Sequence, residues 1–77
     1  MRSRPRPLSQ RAWGLLERLA AAQRSLGAAV PPEAVIRAES AAEWGSIHVL
    51  CQRMYVVTSE GRLRLTRRGW QALHARR

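Results

Sequence analysis

The stretch "EGRLRLTRRGWQALHARR" (residues 60–77) decides how this sequence is read. Gly61 sits where a turn needs positive φ, and the two residues before it, Ser59 and Glu60, are turn formers. Arg62, Leu63, Arg64 and Leu65 then alternate strictly, which places two arginines on one face of a strand and two leucines on the other. Thr66 is a good helix cap, Trp70 and Leu73 follow at helical spacing, and Gly69 allows a close backbone approach. Immediately upstream, residues 55–58 are aromatic and β-branched, the mate that the alternating strand requires. The stretch therefore predicts a β-hairpin followed directly by a helix.

Working back towards the start, Ser40 and Glu43 have the S-x-x-E spacing of a capping box. The helix they open carries Trp44, Ile47, Leu50, Cys51 and Met54 on what reads as its inward side. A short helix is expected just before it, with Pro31 and Pro32 at its front, Glu33 favourable against the dipole, and Val35 and Ile36 facing the core. Two helices so close together, the second freshly capped, read as a helix-turn-helix. The first helix starts at Ser9, with Leu8 and Trp13 spaced as a hydrophobic staple. Leu15, Leu19, Ala22 and Leu26 recur on one face with Leu16 beside them, and Gly27 supplies the stop. Arg11, Arg18 and Arg24 fall largely off that stripe and read as a solvated face. Ala28 to Val30 fits either a short strand or a loop. The expected core joins Leu19, Ile47, Leu50, Leu65 and Leu73.

The 77 residues are enough for one domain and one modest core, and too few to build a deep enzyme pocket as well. Residues 1–7 form a separate arm along which Arg2, Arg4 and Arg6 alternate and Pro5 and Pro7 favour an extended path, and residues 8–77 form the domain. The arginine-rich, acid-poor start has the composition of a transit peptide, a reading set aside because its removal would take the longest helix with it. All 14 basic residues are arginine against 5 glutamates, a formal net charge of +9. Coding bias accounts for arginine in place of lysine but not for the scarcity of acids. The balance points to an anionic partner, and arginine's planar fork suits phosphate, carboxylate or guanine.

The end of the chain resembles bacterial winged helix-turn-helix regulators, in which an alternating strand runs into Leu-Thr, two polar residues, Gly, two more residues and Ala-Leu. Leu65, Thr66, Gly69, Ala72 and Leu73 match that pattern. The resemblance implies a mainly α fold with a small β-hairpin: three helices, a two-stranded wing and a C-terminal helix. It also implies a duplex DNA partner, a role in transcription regulation, and a homodimer with Trp70 in its seam. The third helix would then be the recognition helix, with residues 59–64 as the wing.

Read this way, the candidate nucleic-acid contacts are His48, Gln52 and Arg53 on the third helix, Arg62 and Arg64 on the wing, and Arg2, Arg4 and Arg6 on the arm. The rest of that helix face, Ala41, Ala42, Gly45 and Val49, is poor in base readers. A smooth face of this kind equally suits a protein partner, including a host protein or nucleoprotein complex bound by a small phage-type inhibitor.

Enzyme chemistry has no support in the sequence. His48 and Cys51 do not form a convincing dyad, and no phosphate-binding loop or dinucleotide fingerprint is present. One cysteine and two distant histidines make no metal site, and no cofactor is expected. A lone Cys51 and the lack of any bilayer-spanning run lead to an expected cytoplasmic setting with no membrane partner.

Overall fold

The computed structural model describes residues 7–36 and 41–76. Ser9 opens the first helix, α1 (Gln10–Leu26), by accepting a hydrogen bond from the Ala12 N–H at 3.1 Å, and Gly27 ends it in the left-handed region. Leu15, Leu16 and Leu19 go fully inward, but Leu26, expected on the same stripe, is 59% exposed in the last turn. It lies beyond the point where the remaining elements pack. A single 3₁₀ turn (Pro32–Ala34) stands where a short second helix was expected, with Val35 and Ile36 buried behind it. The Ala34 N–H donates to the Pro31 carbonyl, and the Val35 and Ile36 N–H groups both donate to the Pro32 carbonyl, which closes one tight turn among the described residues. Ser40, half of the expected capping box, lies outside the described residues.

The next helix is α2 (Ala41–Gln52), followed by strands β1 (Val56–Ser59) and β2 (Arg62–Leu65) and the last helix, α3 (Arg67–Arg76). The strands pair antiparallel, with Val56 opposite Leu65 and Ser59 opposite Arg62. Val30 adds a bridge on the other side of β2. Its N–H donates to the Leu63 carbonyl and its carbonyl accepts from the Leu63 N–H, both at 2.7 Å. Two residues along β2, the Leu65 N–H donates to the Gln23 side-chain oxygen at 2.9 Å. β2 is therefore satisfied on both edges, and the segment read as either strand or loop contributes one paired residue.

Leu63 and Leu65 drop from the hairpin into a core made with Leu15, Leu16, Leu19, Ile47, Leu50 and Leu73. All five residues expected in the core belong to it. Arg24 lies 5.0 Å over the Trp70 ring and Arg76 lies 4.7 Å over the Trp13 ring, so two half-buried indoles carry guanidinium lids. Trp70, expected at a dimer seam, spends much of its ring on contacts within the chain.

One junction fastens these elements. α2 ends in a Schellman motif: the Met54 N–H donates to the Cys51 carbonyl and the Tyr55 N–H to the Leu50 carbonyl, with Met54 at φ 62°. The Thr66 hydroxyl donates to the Met54 carbonyl, and the Thr66 N–H donates to the Tyr55 carbonyl at 3.0 Å. The same hydroxyl oxygen accepts from the Gly69 N–H at 3.0 Å, capping α3. A Cβ added at Gly69 would overlap the Tyr55 carbonyl oxygen and lie 3.1 Å from its carbon, both rigid backbone.

Two substitutions test this junction in opposite directions by urea unfolding. Gly69→Ala should lose about 2–3 kcal/mol, because backbone must move to admit the methyl group. Met54→Gly should gain up to about 1 kcal/mol, because it removes the left-handed strain from a side chain that is 65% exposed.

Candidate nucleic-acid interface

The rotation of α2 about its axis decides which side chains it offers. Glu43 is only 6% exposed and forms an ion pair with Arg18 of α1. Ser46, Ile47 and Leu50 go inward with it, and the Ser46 hydroxyl donates to the Ala42 carbonyl. This corrects the sequence reading on both faces. Trp44 and Met54, expected inward, are 52% and 65% exposed, and Arg18 is paired rather than simply solvated. A buried carboxylate needs its cation close by, and meeting Arg18 turns the Glu43 side of α2 towards α1. Trp44, one residue on, is thereby turned out.

The outward arc of α2 holds Ala41, Ala42, Trp44, Gly45, His48, Val49 and Gln52. His48 and Gln52 are exposed, four residues apart and one turn along the same arc. Arg53 is half-buried at the end of the helix. It does not join His48 and Gln52 but lines a groove of about 420 Å³ between α2 and the start of α1. Arg11, Ala42, Gly45 and Val49 line the same groove. One of the expected nucleic-acid residues thus shares a site with three of the residues expected at a protein interface.

On the hairpin, Glu60 and Gly61 both take positive φ, 53° and 74°, the backbone of a type I′ turn. The turn locks the register, so β2 buries Leu63 and Leu65 while Arg62 and Arg64 stand exposed together. Their cross-strand neighbours are Ser59 and Val57. Arg67 and Arg68 continue the exposed basic surface into the first turn of α3, with the Arg68 guanidinium 5.9 Å over the Tyr55 ring. Neither was among the sequence candidates, although the pair directly after a helix cap was the signal. Trp44 was missed because a tryptophan in a helix of a small domain reads as core. Arg2, Arg4 and Arg6 lie outside the described residues.

Cys51 is half-buried, and burial raises its thiol pKa above the ordinary value. Among the described residues no three of His, Cys, Asp and Glu come together as a metal site, and no helix is long and apolar enough to cross a membrane. No protein-family model, curated protein or solved structure matches the chain.

Two outcomes follow for the helix that carries the site. Arg18→Met alone should cost about 1–3 kcal/mol, because it leaves the Glu43 carboxylate buried without this partner. Adding Glu43→Leu should recover most of the loss in a double-mutant cycle. Cys51 should react with iodoacetamide more slowly than free cysteine at about pH 8. Its raised pKa favours the neutral thiol in the fold. The associated stabilisation is complete below the unfolded thiol's pKa and is lost as pH rises through the folded one.

Proposed function

We propose that this is a small winged-helix protein that binds duplex DNA largely through arginine–phosphate contacts and acts as a transcriptional regulator of bacterial or phage type. The observation that carries the reading is the hairpin. Arg62 and Arg64 are exposed on one face of a register-locked two-stranded sheet, and Arg67 and Arg68 follow at once. Among the described residues no ion pair engages these four. Guanidinium groups carried on a paired ribbon meet phosphate oxygens without any cost of ordering the backbone beneath them, and phosphate contacts carry no sequence information.

His48 and Gln52 supply what base recognition the α2 arc has to offer, from the middle and C-terminal half of the helix. Sequence preference is accordingly modest and salt dependence steep. In this reading the protein is not an enzyme and needs no cofactor, and it works in the cytoplasm with the Arg2, Arg4 and Arg6 arm adding phosphate contacts.

A second reading has its own support. Trp44, Val49 and Met54 are exposed large apolar side chains on and just beyond α2. A tryptophan with aliphatic neighbours is the composition of a protein-binding hot spot, which favours a module that docks on another protein or nucleoprotein complex.

Titration against random-sequence duplexes at two or more salt concentrations tests the first reading. Replacing Arg62 and Arg64 together with Ala should weaken binding to every duplex alike and flatten the slope of log K against log salt by about 2 units. His48→Ala or Gln52→Ala should change preference at one base pair by about 1–3 kcal/mol and leave the slope in place. Duplex binding that vanishes near physiological salt, beside a nuclease-resistant protein complex weakened by Trp44→Ala, would transfer the conclusion to the second reading.

A further inference from the structure

The two edges of the hairpin differ. β2 is covered on its far side, where Leu63 pairs with Val30 and the Leu65 N–H is taken by Gln23. Those bonds fix the phase of the whole ladder. Leu63 and Leu65 turn their backbone groups away from β1, so the bonds between the strands join Arg62 to Ser59 and Arg64 to Val57. The bond from the Thr66 N–H to the Tyr55 carbonyl falls in the same phase. Val56 and Thr58 are therefore left with their N–H and C=O groups directed outward from β1, and no described residue hydrogen-bonds to them. Val57, Thr58 and Ser59 are exposed. β1 also lacks the devices that close a sheet edge: its four residues include no charge and no proline, and its register runs without a bulge.

We propose that the β1 edge binds an extended acidic segment of a partner protein, which joins the hairpin as a further antiparallel strand. Val56 and Thr58 supply the main-chain hydrogen bonds, and the arginines supply the selection. Residues of the added strand opposite Val57 and Ser59 lie on the exposed face that carries Arg64 and Arg62. They stand two strand spacings from β2, about 9.5 Å, a gap that a glutamate and an arginine close from its two sides. Val57, 46% exposed, is covered in the process. Glu60 at the tip opposes an acid beside it, so the position facing Arg64 across Val57 is the stronger of the two. A second copy of the chain fits the edge in geometry but not in charge. Each copy carries a net charge of +9, and the pairing would set Arg62 and Arg64 of both on one face.

Arg62 and Arg64 serve both ligands, so an acidic strand and a duplex exclude one another at the hairpin. That consequence rests on the duplex-binding reading; the edge itself does not.

The probe is an acetylated, amidated heptapeptide of alternating threonine and glutamate, titrated into the full chain at physiological salt. Saturable binding is expected, with the Thr58 amide slowed in hydrogen exchange when the peptide is present. In the antiparallel register the peptide's threonine N–H groups face β1 and its glutamate N–H groups face away. N-methylation of the threonines should therefore abolish binding, while N-methylation of the glutamates, at identical charge, should leave affinity within about twofold. Lysine in place of glutamate should leave no measurable affinity. Arg64→Gln should weaken the peptide about three- to fivefold, the worth of an exposed ion pair, and Arg11→Gln, an equal change of charge on the first turn of α1, should stay within about twofold. Thr58→Pro removes an outward N–H without touching the ladder between β1 and β2. It should abolish peptide binding and leave duplex affinity as it is in the native chain, so the failure of the edge is told from the failure of the duplex reading. The N-methylated pair gives the result should that variant not fold. Equal or reversed effects of the two N-methylated peptides, an unprotected Thr58 amide, or equal binding of the lysine peptide would overturn the proposal. So would self-association of the free chain that Thr58→Pro abolishes, which would give the edge to a second copy.

Discussion

Gly69 has no side chain because the Tyr55 carbonyl occupies the space where one would begin. That carbonyl accepts the Thr66 N–H, and the Thr66 hydroxyl is held between the end of α2 and the start of α3. Four chain directions meet within a few residues there: α2 leaving, β1 entering, β2 leaving and α3 starting. The Met54 and Tyr55 carbonyls at the end of α2 are both taken up by Thr66 at the start of α3, so the base of the hairpin is closed by backbone contacts and one hydroxyl rather than by bulk. The hairpin's arginines inherit their position from this junction, since Arg62 and Arg64 are only a few residues from it along a short, paired strand.

A second constraint sets what α2 shows to the outside. Apolar residues are distributed around much of this helix, so hydrophobic burial alone does not choose a unique rotation. The Arg18–Glu43 pair does. Buried ion pairs add little net stability over well-packed apolar groups of the same size, but breaking one is costly, and they therefore serve to select one arrangement. Here the selected arrangement places Trp44 outside and Glu43 inside, the reverse of what side-chain hydrophobicity would choose.

These two constraints divide what the sequence discloses from what it does not. Caps and turns act over three or four residues, so Ser9, Gly27, Gly61 and Thr66 mark their elements correctly from local pattern. Strict alternation in β2 likewise identifies Leu63 and Leu65 as core and Arg62 and Arg64 as surface. The rotation of α2 depends on a partner 25 residues away, and no local pattern contains it. The Val30–Leu63 bridge and the Gln23 contact to Leu65 are long-range in the same way. The groove is hidden for a further reason: its two walls come from segments that the sequence separates by some thirty residues, and its arginines read individually as solvated or as DNA contacts. The second helix fails differently, since two prolines mark a helix front well but say nothing of how many turns follow.

The hairpin tip has a consequence of its own. Glu60 occupies the first central position of the type I′ turn, so a carboxylate stands at the outermost point of an otherwise basic ribbon. A polyanion approaching the tip end-on meets that negative charge first, and one lying along the strands meets Arg62 and Arg64. The charge pattern thus gives the hairpin a preferred angle of attack: it favours broadside contact along the ribbon and opposes deep insertion of the tip into a phosphate-lined groove. In the duplex-binding reading proposed above, Glu60 would set the direction of approach rather than the strength of the contact.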